Sequence, residues 1–402
     1  MTLPLARPAD TWSPLYYLAA VGAGGLAVTF FMWLMFWVPH PGQPVPVFED
    51  IAAAFAAGGP ATRAMIAVAA VGIAVLAALN LHLTVWNLRR HAEWKRTEAA
   101  AAFLRTNAES QLMAQPLALA MSVNALFIVG LVFVPGLWGI VEYLFPAALL
   151  AFAAIGVLAL GIMGRFLGRV IGEGGFRCAA NNSFGQILPA FAFAMIGVGA
   201  SAPAALSLSA TTAGLSLLLS TFFVTAAVLI AAIAMVLGMR ALLENGASIE
   251  TAPTLLILVP FLTVVGIAML RQSHGLHVHF DSHDGAGETL TFLSRILSAQ
   301  VLFTLFGLAV LARLGYAARF IFGRENSVGA YALVCPGVAL SVMLHFWLNK
   351  GLVDAGLVAK FGAAYWSVSA VAVALQIAMI WLVWHLNRRH FGQPRPALTP
   401  AE

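Results

Sequence analysis

Apolar stretches of about 20 residues alternate with short polar connections along this chain, and that is the length an α-helix needs to cross the hydrocarbon core of a bilayer. The pattern predicts ten spans, near 16–38, 63–88, 116–134, 143–164, 184–202, 210–238, 253–271, 289–312, 327–348 and 363–386. Pro189, Pro260 and Pro336 lie inside the fifth, seventh and ninth stretches. A proline inside a helix removes one N–H and frees a carbonyl, and at membrane depth this is tolerated only against protein or a water-filled cavity. Two kinds of helix are therefore expected: odd ones broken by proline and even ones continuous. The expected fold is an all-α polytopic membrane protein, five helix hairpins around a central pore, with the odd helices inside and the even ones against lipid.

Composition narrows the class. At 61% hydrophobic and 9% charged residues over 402 positions, the chain departs from soluble domains, where about a quarter of residues are charged. The first stretch is longer than a signal-peptide core and no A-x-A site follows it, so it reads as a retained helix. Charge asymmetry tests the span count, because Lys and Arg stay on the cytoplasmic side. With both termini inside, Arg7, Arg89, Arg90, Lys95, Arg96, Arg105, Arg165, Arg169, Arg177, Arg240, Arg313, Arg319, Arg324, Arg388, Arg389 and Arg395 fall on that side, sixteen of twenty-one basic residues. The net charge of +5 thus reflects topology, and no nucleic-acid partner is expected. Two cysteines, Cys178 in a cytoplasmic loop and Cys335 inside the ninth span, cannot form a disulfide scaffold and are expected to be reduced. Segment 89–113 is charged and Ala-rich and predicts a surface helix on the cytoplasmic leaflet, with Trp94, Phe103 and Leu104 dipping into the interface. Segment 46–58 predicts a shorter counterpart outside.

All sixteen Asp and Glu fall in loops or at span ends, so no mid-membrane carboxylate is offered to a coupling cation. A path of hydroxyls, amides and opened backbone suits an anion, and the half-helix after each proline would present unpaired N–H groups and a positive dipole end. The candidate path residues are Ser122 and Asn124, Gln186 with Pro189, Pro260 with Thr263, and Cys335, Pro336 and Ser341. Gly22, Gly24 and Gly25 are candidates for an equivalent opening in the first span. Arg271 and Arg295 form a candidate outer anion mouth. Segment 272–288 predicts a His-rich outer loop in which His274, His277, His279 and His283 could hold Zn²⁺ or Cu²⁺; no other cofactor is expected. His82, His345 and His385 lie near or within spans, where interhelical hydrogen bonding is the expected role and a bis-His haem the alternative. Cys178 follows Arg177 and is a redox candidate. The chain carries no G-x-S-x-G, Walker loop or H-E-x-x-H, and no enzymatic role is expected.

Five hairpins with kinked odd helices resemble the tellurite-resistance/dicarboxylate transporter superfamily, which includes the TehA proteins and the slow anion channels. R-C-A-A-N-N-S-F-G-Q-I-L-P at 177–189, Q-S-H-G-L-H-V-H-F at 272–280 and C-P-G-V-A-L-S-V-M-L-H-F-W-L-N-K-G-L at 335–352 look like its TsoY-type branch. The resemblance implies one pore lined by odd helices, occluded by an aromatic side chain of the ninth helix, in a protein that is often a homotrimer. Gate candidates are Phe346 and Met343 on the ninth span and Phe191, Phe193 and Phe261 on neighbouring odd spans. The expected function is that of a bacterial inner-membrane permease or channel-like transporter for a small anion, an organic acid or a sulfur oxyanion. A membrane redox protein and a metal-handling protein are the alternatives.

Overall fold

The computed structural model describes residues 11–282 and 285–391, so Arg7, His283 and Arg395 lie outside the described residues. Ten helical spans are long and apolar enough to cross a membrane: α1 (Pro14–Trp37), α2 (Pro60–Trp94), α3 (Asn107–Phe133), α4 (Leu137–Glu173), α5 (Gly185–Leu206), α6 (Ala210–Asn245), α7 (Ala252–His279), α8 (Ala286–Arg313), α9 (Val328–Val353) and α10 (Ala363–Phe391). Their ends follow local chemistry. Ser209 accepts the Thr212 N–H at the start of α6, and Glu288 accepts the Gly285 N–H at the start of α8, which satisfies donors that have no partner inside a helix. α4 and α6 stop at Gly174 (φ 77°) and Gly246 (φ 71°), in the left-handed region where a Cβ is costly.

Odd and even spans differ as their sequences suggest. In the odd spans 56% to 94% of the most apolar window is buried, against 17% to 33% in the even spans. Helix α1 packs on α3, α3 on α5, α5 on α7, α7 on α9, and α9 returns to α1, closing a ring of five. Each even helix sits behind that ring in the groove between two odd ones: α2 against α1 and α3, α4 against α3 and α5, and so on to α10 against α9 and α1. The outward faces of the even helices carry exposed Val71, Leu150, Leu218, Ile233, Leu302 and Ile377, apolar surface that suits acyl chains.

Three expectations are corrected. The prolines do not interrupt odd helices at mid-span. Each marks the first turn of an α-helix that continues a 3₁₀ stretch: Gly185–Ile187 leads into Leu188–Ala200, Ala252–Leu256 into Leu258–His279, and Val328–Leu333 into Val334–Phe346. Pro116 repeats the arrangement in α3, where Asn107–Met113 leads into Ala114–Phe133. The missing proline N–H is an orphan of the first turn in any case, and carbonyls before it are taken by 3₁₀ bonds such as Leu188 N–H to Gly185 O and Ile257 N–H to Thr254 O. Proline is also not confined to odd spans, since Pro146 lies inside α4.

The Gly22-Ala23-Gly24-Gly25 run is not an opening either. A Cβ at Gly22 would stand 2.8 Å from Val334 Cγ1, at Gly24 2.7 Å from Met121 Cγ, and at Gly25 2.9 Å from Val338 Cγ1. These glycines let α1 dock closely on α3 and α9, the small-residue packing common between membrane helices. Finally, 89–113 is not one surface helix. Residues up to Trp94 extend α2, Thr97 caps a short helix Glu98–Phe103, and Thr106 caps the 3₁₀ start of α3. Two threonine caps break the run because each hydroxyl competes with the helix ladder, donating to Trp94 O and Phe103 O respectively. Trp94 is buried between Trp12, His91 and Phe103 instead of lying in the interface. Segment 46–58 does hold a short helix, Phe48–Ala57, whose final carbonyls at Phe55 and Ala56 accept from Arg63.

Candidate functional site

All five odd spans begin at the same end of the ring, and their 3₁₀ starts surround one cavity of about 200 Å³. Its lining draws on α1 through Leu15 and Leu18, on α3 through Asn107 to Gln111, on α5 through Gly185 to Phe191 with the preceding 180–183 turn, on α7 through Thr251 to Pro260, and on α9 through Gly329 to Cys335. The deepest residues along these helices are Leu18, Phe191, Pro260 and Cys335. The space is roomy enough for several waters and is below the usual size of a nucleotide or drug-like site.

Hydrogen bonds stitch the rim. Gln186 Nε2 donates to Asn107 O at 2.9 Å, Asn107 Nδ2 donates to Arg177 O at 2.9 Å, the Phe184 N–H donates to Thr254 Oγ1 at 3.1 Å, and Asn182 Nδ2 donates to Gly246 O at 2.9 Å. These bonds tie α3, α5, α6 and α7 together at one level. Asn181 differs from its neighbours. It is only 3% exposed, it lines the cavity, and its Nδ2 has no hydrogen-bond partner in the protein. Among the described lining residues there is no Lys, Arg or His, and the acidic member, Glu250, is exposed. The helix starts that converge here each present the positive end of a peptide dipole.

Of the residues singled out in the sequence, Gln186, Pro260 and Cys335 line this cavity, and so does one gate candidate, Phe191. Others are engaged elsewhere. Ser122 Oγ donates to Ala118 O and bonds Thr84 of α2 at 3.0 Å; Ser341 Oγ donates to Ala372 O of α10 at 2.8 Å. Thr263 donates to Ala339 O at 3.1 Å and accepts from Gln300 of α8. These hydroxyls fasten odd helices to their neighbours. Asn124 Nδ2 meets Met195 Sδ at 3.7 Å between α3 and α5. Pro189 and Pro336 are buried in the first turns of α5 and α9. Phe193 stacks on Phe223 of α6 with centroids 6.0 Å apart, Phe346 meets Phe36 edge-on, Met343 is buried beside Gly266, and Phe261 is buried in the core.

The outer features also resolve differently from the sequence reading. Residues 272–279 continue α7 as helix up to His279 and are not an extended loop. His277 Nδ1 bonds Ser282 O at 2.8 Å and His279 Nε2 bonds Ser207 O at 2.9 Å, while His274 is exposed. Among the described residues no group of three or more His, Cys, Asp or Glu is arranged to hold a metal ion. Helical geometry separates His277 from His279, since i and i+2 positions point to different sides. Arg271 donates to Val198 O at 2.8 Å, one of the last carbonyls of helix Leu188–Ala200, a favourable place for a cation. Arg295 is exposed on α8, in a surface recess with Glu288, and so stands outside the ring. Cys178 is free and exposed. His385 stacks on Trp381 and bonds Ile321 O, and His82 lies half-buried on α2.

No family model matches the chain, and no curated protein matches it. Its chemistry therefore rests on the geometry of the ring and its cavity. The residues that sequence reading missed are Asn107, Gln111, Asn181 and Thr251, all in polar entrances that precede the apolar windows. A signal for them existed: each odd span but the first places proline shortly after a polar run, marking where the 3₁₀ entrance meets the α-helix.

Proposed function

We propose that this chain is a permease or channel-like transporter that moves a small anion, an organic acid or a sulfur oxyanion, along the axis of the five-helix ring. The carrying observation is the cavity at which all five odd helices begin, where apolar residues alternate with neutral amides and hydroxyls and Glu250 is the charged member of the described lining. An oxyanion there would accept from Asn181 Nδ2 and from the amide-rich rim, in the field of five helix starts. Helix N-termini bind anions without needing a full positive charge. Phe191 at the floor of the cavity is the residue that would close the path.

The charge bias supports a bacterial inner membrane with this cavity on the cytoplasmic side and both termini inside. A homotrimer is proposed with the superfamily resemblance. The chain then acts as a conduit, with no catalytic residue. Purified protein in liposomes should pass sulfite, malate, acetate, nitrate or chloride faster than empty vesicles do, with a clear preference among them. Equal leakage of all five, at the rate of protein-free vesicles, would reject transport.

A further inference from the structure

Helices α9 and α10 run antiparallel, and the bond from Ser341 Oγ to Ala372 O fixes their register. Ser369, Ala372 and Gln376 recur on one face of α10, at the three- and four-residue spacing of helix neighbours. One turn from Ser341 on α9 stands His345, level with Ser369; in the other direction Gly337 meets Met379, level with Gln376. His345, Ser369 and Gln376 are 0%, 1% and 1% exposed. Five of their polar atoms, both imidazole nitrogens, the Ser369 hydroxyl and both amide atoms of Gln376, have no hydrogen-bond partner in the protein.

Elsewhere among the described residues such atoms occur singly, one each on Trp33, Asn80, Trp86, His91, Asn181, Gln300 and Tyr316. Buried Asn87, Thr84, Ser216 and Thr263 all find partners on neighbouring helices. A buried polar atom left alone costs about 1–3 kcal/mol, so five along one seam call for partners the protein does not supply. Ser369 to Gln376 spans roughly 10 Å at 1.5 Å per residue, a length that about three or four hydrogen-bonded waters would bridge. Histidine is the one side chain whose charge changes near neutral pH, and an ionisable group inside a membrane span marks function by default. Just beyond His345, α9 widens to a π-helix over Trp347–Val353, and Asn349 Nδ2 turns back to donate to His345 O at 2.8 Å. Such π segments cluster at functional sites.

Groups facing the imidazole come from every packed element. α1 presents Phe36 and Trp37, stacked and edge-on. α10 presents Tyr365, whose hydroxyl donates to Asn349 Oδ1 and accepts from Trp37. On α7 the charged or titratable groups toward this end are Arg271, held by Val198 O, and exposed His274; on α8 they are exposed Glu288 and Arg295; beyond α9 lies the Lys350–Asp354 pair at 3.5 Å.

We propose that His345, Ser369 and Gln376 form a hydrated proton-binding strip between α9 and α10, and that protonation of His345 couples proton binding to the ring helix α9. The site itself stands apart from the transport reading; the coupling rests on it. A proton arriving through water adds to one imidazole nitrogen, and the other keeps its own, giving a cation whose two N–H groups donate to Ser369 and to water, with Gln376 reached through further waters.

The test uses the full chain in lipid nanodiscs with ¹⁵N-labelled histidine. The His345 signal, assigned by its loss in His345→Gln, should titrate within the pH range over which the protein stays folded, and Ser369→Ala with Gln376→Leu should shift its midpoint. A His345 that stays one neutral tautomer over that whole range overturns the site. In liposomes, a gradient of one pH unit should change solute uptake several-fold in the parent and leave His345→Gln unaffected. Equal gradient-driven uptake in both overturns the coupling. No uptake by any variant would overturn the transport reading and the coupling together, while a titrating His345 would still establish the strip.

Discussion

Replacing Asn181 with leucine separates binding from folding. The amide is buried and lines the cavity, and its Nδ2 bonds nothing in the protein. An unpaired buried donor costs about 1–3 kcal/mol, and its replacement by an apolar group of similar shape is close to neutral or stabilising. The thermal midpoint of Asn181→Leu should therefore equal or exceed that of the parent. A hydrogen bond to a charged group contributes about 1.5–3 kcal/mol, and every 1.4 kcal/mol is tenfold. The half-saturating concentration for the transported anion should thus rise roughly 10- to 150-fold in a liposome flux assay. Asn182→Leu supplies the contrast, since Asn182 Nδ2 already donates to Gly246 O: it should lose about 0.5–1.5 kcal/mol of stability with a smaller change in affinity. A destabilised Asn181→Leu that binds and transports like the parent would refute the role assigned to this amide.

Gly25→Leu should destabilise the fold by about 1–3 kcal/mol, seen as a lower thermal midpoint, because even a Cβ there stands 2.9 Å from Val338; an unchanged midpoint would show that α1 and α9 are not in close contact. Thr263→Val should cost about 1–3 kcal/mol through the lost bond to Ala339 O and the Gln300 amide left behind, while flux per folded molecule stays at the parent value; a specific loss of flux would return Thr263 to the conduit. Arg295→Gln should leave flux per folded molecule unchanged, as its side chain is exposed on α8 outside the ring; a selective loss of anion flux would contradict that placement.

The layout was legible because hydrocarbon imposes a length and charge a side. Ten windows of apolar residues and the prolines of alternate spans were enough to anticipate an inner ring and an outer sheath. What the prolines do was not legible. A proline ends the α-helical ladder on its N-terminal side whether the chain continues as a loop, a kink or a 3₁₀ turn, and only the neighbouring helices decide among these. Side-chain direction was equally hidden: Ser122 and Ser341 sit on ring helices but turn to even helices, and Thr263 bonds both ring helix α9 and even helix α8, because a hydroxyl in an apolar environment goes to the nearest open carbonyl or hydroxyl. The His-rich segment reads as extended in sequence but is helical as far as His279, and H-x-H brings imidazoles together on a strand and separates them on a helix. Gln186 and Cys335, picked out in the sequence beside prolines, both line the cavity.

The most direct test of the central account is the reach of a small, charged, membrane-impermeant thiol reagent to Cys335 in a Cys178→Ala background, in vesicles of known orientation. Cys335 is buried in the ring and lines the cavity. The account predicts modification only from the face where the odd helices begin, with loss of anion flux as the thiol reacts. Protection from both faces, or full modification with flux intact, would contradict a cavity that serves as the conduit.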